Sequence, residues 1–81
     1  MIKKIKFTMY SDLIRYSLFI EPECQEIIIE SIDNCELESS NDCELQFLWY
    51  NHGIAIYCDK GNYTIRKNGV DIYEYPKGYV V

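Results

Sequence analysis

Asn68-Gly69, set between runs of alternating apolar and polar residues, is the feature that most constrains how this chain can fold. Both residues tolerate the positive φ angles of a type I′ turn, whose twist matches that of the strands it joins. A two-residue turn there places Arg66 opposite Asp71, Ile65 opposite Ile72 and Thr64 opposite Tyr73, three chemically compatible pairs. The last third of the chain therefore reads as an antiparallel hairpin. Pro76 ends it and leaves Lys77 to Val81 as a short tail.

Similar punctuation runs backwards from that hairpin. Asp59-Lys60-Gly61 is expected to close another, and Asn51-His52-Gly53 fits a three-residue turn with Gly53 in the left-handed position. That turn would set Tyr50 opposite Ile54 and Leu48 opposite Ile56. Further upstream, Cys35 to Glu38 and Glu44 to Tyr50 flank a loop at Ser39 to Cys43. Its length pairs Leu37 with Leu45 and Cys35 with Phe47, and keeps the two faces distinct. At the other end, Ile2 to Met9 alternates with period two. Tyr10-Ser11-Asp12 supplies turn chemistry, and Leu13 to Ile20 alternates again, with a short helix capped by Ser11 as the alternative.

Between these strands the period changes. On a helical wheel Cys24, Ile27, Ile28, Ser31, Ile32 and Cys35 fall within about 140°, with Glu23, Glu26, Glu30 and Asp33 within about 80° on the opposite side. Pro22 suits a first helical position, and early glutamates suit the positive end of the helix dipole. The β-branched run Ile27-Ile28-Ile29 opposes this. Periodicity favours an amphipathic helix over about residues 22–33. The expected fold is α+β, a single domain spanning residues 1–81. An N-terminal hairpin, the helix and a C-terminal meander would form one antiparallel sheet with the helix packed on it.

The 81 residues are 48% hydrophobic and 15% aromatic, too apolar for a disordered acidic segment. No apolar run approaches the roughly 18 residues of a membrane span. Met1 to Lys6 is basic, but the residues that follow, Phe7 to Asp12, form no uninterrupted apolar signal core, so a cytoplasmic protein is expected. Cys24, Cys35, Cys43 and Cys58 lack the close spacing of zinc ligands and are expected to be reduced, acting as small hydrophobes. Twelve isoleucines against one alanine suggest AT-rich coding, as in a low-GC bacterium or its phage.

Charge carries the functional argument. Between Arg15 and Lys60 there is no basic residue, and residues 16–59 hold ten acids, a formal −10 within a chain of net −5. A surface needing only solubility mixes both signs, so this block reads as a binding surface for a basic partner. Its expected residues are Glu23, Glu26, Glu30, Asp33, Glu36, Glu38 and Glu44, with Trp49, Tyr50 and Tyr57 as aromatic anchors. On a helix, carboxylates three or four residues apart stand about 5–6 Å from one another, near the spacing of backbone phosphates.

Catalytic signals are weak. His52 is the only histidine and sits in a turn, and neither a P-loop, a Rossmann glycine pattern nor an HExxH is present. The acidic window Asp33 to Glu44 lacks the sixth-position glycine and the third- and fifth-position acids of an EF-hand. No enzyme, cofactor or metal site is expected. In size and charge the chain resembles phage-encoded inhibitors of host defence, anti-CRISPR proteins among them, and bacterial immunity proteins. That resemblance implies a stoichiometric inhibitor whose acidic face occupies the basic surface of a nuclease or another nucleic-acid-binding protein. Two alternatives stand beside it: an antitoxin or immunity protein, and a small nucleic-acid binder using the basic ends and exposed tyrosines. A homodimer is open as well.

Overall fold

A computed structural model describes residues 3–7, 15–30 and 33–80, with the backbone alone for Phe7. The strands are β1 (Lys3–Phe7), β2 (Arg15–Glu21), β3 (Gln25–Glu30), β4 (Cys35–Ser39), β5 (Glu44–Tyr50), β6 (Gly53–Lys60), β7 (Tyr63–Lys67), β8 (Val70–Tyr75) and β9 (Gly78–Tyr79). They form two sheets, ordered β1-β4-β7-β8-β9 and β3-β2-β6-β5. The inward side chains of both enter one buried cluster, so the architecture is a β-sandwich.

The expected α+β fold is overturned, since no helix occurs among the described residues. Residues assigned to the helix instead make a turn at Pro22 to Cys24 and the strand β3. Ile27 and Ile29 point inward, while Glu26, Ile28 and Glu30 are exposed. Ile28 filled out the apparent helical stripe, but it lies on the outer face. The β-branched run chose the strand, because branched side chains pack well on a pleated surface beside a ready partner, β2.

Partner choice also differs from the expected meander. β1 pairs with β4, not β2, so the N-terminal hairpin does not form. β4 and β5 lie in different sheets, and the segment between them crosses the sandwich. At that corner Ser40 N–H donates to the Asn62 carbonyl at 2.9 Å, and Asn62 N–H donates to Ser40 Oγ at 3.1 Å. Asp59 to Gly61 likewise passes from one sheet to the other. The β5–β6 hairpin forms around a two-residue turn, Asn51-His52, which sets Tyr50 opposite Gly53 and Leu48 opposite Ala55. Gly53 is not in the left-handed region.

Asn68-Gly69 behaves as its chemistry requires, with φ of 53° and 80°. Arg66 stands opposite Asp71, but a bulge then brings Tyr73 opposite Ile65 and Glu74 opposite Thr64. The tail after Pro76 returns as β9 and pairs with β8. The turn expected at Tyr10-Ser11-Asp12, with the Ser11 cap, lies outside the described residues, as do Met9, Leu13, Ile14, Ser31 and Ile32.

Leu18, Ile20, Leu37, Ile56 and Ile65 are fully buried between the sheets. Each contributes about 1.5–3 kcal/mol relative to exposure. Cys35 and Cys43 join that core and Cys58 is half-buried, all as thiols, with Cys43 Sγ and Cys58 Sγ 3.7 Å apart. Burial pushes the Cys35 thiol up to about 12 and that of Cys43 up to about 11, the latter helped by its contact with Cys58.

Candidate functional site: the outer face of the β3-β2-β6-β5 sheet

Strand alternation dictates which side chains leave the core. On β2 these are Arg15, Ser17, Phe19 and Glu21; on β6 they are Gly53, Ala55 and Tyr57. The parallel register sets Ser17 beside Gly53, Phe19 beside Ala55 and Glu21 beside Tyr57. β3 adds Glu26 and Ile28 next to Phe19 and Ser17, and β5 adds Leu48 and Tyr50 next to Ala55 and Gly53. Ile28 is 43% exposed, Leu48 45% and Tyr50 57%, with Trp49 on the same edge strand at 75%. A sheet face this apolar and this open is a candidate interface.

The face has a trough in it. β6 contributes its two smallest side chains, Gly53 and Ala55, so the floor is low there, and the Phe19 ring leans over Gly53 toward Tyr50. Phe19 meets Tyr50 edge-on with ring centroids 6.1 Å apart. A Cβ at residue 53 would collide with the Ser17 carbonyl oxygen and stand 2.9 Å from Phe19 Cε2, so glycine is what admits both the ring and the parallel strand. Asn51 and His52 close one end, where Ser17 N–H donates to the His52 carbonyl at 2.8 Å. Glu21 marks the other end. The trough has a volume of about 410 Å³.

Glu21 lies four strand positions from the Ser17–Gly53 rung, roughly 13 Å at 3.3 Å per residue, too far from the His52 turn for an acid–base pair. Among the described residues no group of three His, Cys, Asp or Glu side chains is placed to hold a metal ion.

The seven expected acids do not form one array. Glu36 and Glu38 project from the opposite sheet, where Lys6 and Arg66 flank Glu36 in register. Glu38 is held by Lys4 at 3.7 Å and Arg66 at 3.2 Å. Asp33 is a local clasp: it accepts from the Glu30 N–H at 2.9 Å and from Asn68 Nδ2 at 2.8 Å, with Lys67 at 3.9 Å. Those two hydrogen bonds, aided by Lys67, hold its carboxyl below the usual aspartate range. Glu23 sits exposed in the Pro22–Cys24 turn.

Glu26, Glu30 and Glu44 do border the apolar face, on β3 and β5, all exposed. Glu26 also accepts from Ser17 Oγ at 2.5 Å. The expected anchors belong here too, with Tyr50 and half-buried Tyr57 on the face and Trp49 at its edge. Sequence reasoning missed Phe19, Ile28, Leu48 and Glu21. For Phe19 the signal was a strand pattern apolar on both faces at Leu13 to Ile20, which announces a second covered or bound face.

Fold and face together define the class: a small two-sheet β-sandwich with an acid-rimmed aromatic surface on one sheet. Compared with known proteins, the chain matches no family model, no curated protein and no solved structure.

Proposed function

We propose that this protein is a small non-enzymatic inhibitor that docks the outer face of its β3-β2-β6-β5 sheet onto a larger bacterial protein. The partner would carry a basic, nucleic-acid-binding surface, as targets of anti-defence and immunity proteins do, and the encounter would take place in the cytoplasm. One observation carries the reading. Of the exposed large apolar side chains among the described residues, Ile28, Leu48, Trp49 and Tyr50 belong to this sheet, against Val70, Tyr79 and Val80 at the β8–β9 end of the other, and its strands hold Glu21, Glu26, Glu30, Glu44 and Asp59 against only Arg15 and Lys60. An apolar centre with a like-charged rim is the anatomy of an interface in which charge steers and aromatic anchors hold.

The strand geometry changes the mechanism from the one the sequence suggested. Glu26 and Glu30, four residues apart on β3, are separated by roughly 13 Å, not by the 5–6 Å of a helix. Literal phosphate mimicry loses its spacing, and steering toward a basic surface remains. The nucleic-acid-binding alternative fares less well. The other sheet gathers Lys3, Lys4, Lys6, Arg66 and Lys67, but interleaves them with Glu36, Glu38, Asp71 and Glu74.

The test is affinity capture from a bacterial lysate with three baits: the wild type, Leu48→Ala/Tyr50→Ala, and Lys4→Gln/Glu38→Gln. The expected result is a partner retained by the wild type and the third bait and lost from the second. Equal capture by all three would remove the docking face from consideration.

A further inference from the structure

The trough on the β3-β2-β6-β5 face, about 410 Å³ in volume, has room for a long side chain, and its chemistry selects which. Its lining brings Gly53, Ala55, Phe19 and Tyr50 together with one carboxylate, that of Glu21, at one end. Among the described residues no ion pair or hydrogen bond engages that carboxylate. An occupant must offer an apolar stem for that lining and a cation for Glu21. Arginine meets both demands better than lysine. Its planar guanidinium stacks on aromatic faces, is less strongly hydrated than an ammonium, and presents a two-donor fork to a carboxylate.

The geometry points to an arginine side chain of the protein partner as the occupant of this trough, its guanidinium paired with Glu21 beside Phe19. This rests on reading the face as the docking surface and adds the anchor on the partner's side. Charge complementarity supports the choice over a neutral apolar side chain, because the strands of this sheet carry five acids against two bases. A basic nucleic-acid-binding surface supplies such arginines in number.

The experiment is a ¹H–¹⁵N NMR titration of the full chain with Nα-acetyl-arginine methylamide, alongside its lysine and citrulline counterparts. Citrulline keeps the shape and loses the charge. The expected result is saturable shifts of the Glu21, Gly53 and Ala55 amides with the arginine probe, at least fivefold weaker with citrulline and weaker with lysine. Glu21→Gln, close to isosteric, should weaken arginine binding about fivefold, and Tyr50→Ala should do so without involving the charge. Equal responses to arginine and citrulline, or none that saturates, would overturn the inference. If that happens while lysate capture still depends on Leu48 and Tyr50, only the arginine anchor falls. If capture is indifferent to this face but the probe binds, the docking reading falls and the arginine site stands.

Discussion

The two outer faces of this sandwich meet solvent in opposite ways. On the β1-β4-β7-β8-β9 sheet, Lys4 and Arg66 converge on Glu38, and Arg66 also donates to Asp71 at 2.8 Å. Charge on its strands is nearly balanced, five bases against four acids, and Lys4, Arg66, Glu38 and Asp71 pair with one another. On the β3-β2-β6-β5 sheet the cross-strand neighbours are Glu26, Phe19, Ala55 and Leu48 in one row and Ile28, Ser17, Gly53 and Tyr50 in the next. Among the described residues every ion pair lies on the first sheet or joins it to Asp33. A face that completes its own interactions is finished surface. A face left apolar with unpaired acids around it is the one available to a partner.

The comparison breaks most readily at Gly53. Gly53→Val should cost about 2–4 kcal/mol of stability, because the new side chain must displace the Ser17 backbone and Phe19 at the only parallel pairing among the described residues. Chemical denaturation checks this. A near-wild-type midpoint would mean that the trough floor is loose and the shape argument for its occupant weak.

Next in size is the loss of binding. Glu26→Lys with Glu30→Lys should leave the melting temperature nearly unchanged and weaken partner binding at least tenfold, with the gap narrowing as salt rises. Calorimetry at low and high ionic strength is the measurement, and unchanged affinity would reduce the rim to solvated surface. Excess nucleic acid added to the same complex separates a competitive inhibitor, which it displaces, from one acting elsewhere on the target.

The interior sharpens the contrast in a third way, through pH. Cys35 and Cys43, raised by burial to about 12 and about 11, ionise near 9 once unfolded. The buried hydroxyls of Tyr16 and Tyr63 are raised as well, also chiefly by burial. The folded state therefore holds protons that the unfolded chain releases, so the stability these groups contribute is full below about pH 9. It falls as pH rises from there toward 12. Melting curves between pH 7 and 11 should show a plateau and then a decline, whereas a decline beginning below pH 8 would implicate other groups. Tyr16 and Tyr63 also bury their hydroxyls without a hydrogen-bond partner among the described residues. Tyr63→Phe should accordingly be neutral or stabilising by about 1 kcal/mol.

Much of the strand content was legible, because period two and turn chemistry are local. β2, the Asn68-Gly69 hairpin and the stop at Pro76 follow from neighbouring residues alone. What the sequence withheld was partner choice. Leu37 is as compatible with Leu45 as with Ile5 and Ile65, and only the closing of two sheets around one core decides between them. The β2–β6 pairing joins residues more than thirty apart in the chain and has no local signature. The helix reading failed at Ile28, where an outward apolar residue mimicked a helical stripe. That same outward isoleucine belongs to the candidate site. The acidic count was legible too, but its division between two faces depended on sheet membership.

The smallest expected effect tests the finished face. Glu38→Gln removes the carboxylate that Lys4 and Arg66 share, and should lower the melting temperature slightly at low salt. Partly exposed ion pairs gain little net energy because water already solvates both partners, and mobile ions screen what remains. At 1 M salt, where the Debye length is about 3 Å, the difference from wild type should nearly vanish. Partner binding should not change at either salt concentration. Glu38 thus serves as the internal control for Glu26 and Glu30, since all three are glutamates on strands of one small domain. Glu38 is held in ion pairs, while among the described residues Glu26 and Glu30 are in none, although Arg15 stands across from Glu30 in register. If Glu38→Gln weakened binding as strongly as the β3 reversals, the distinction between a completed face and an available one would be lost. The acids would then act through net charge alone.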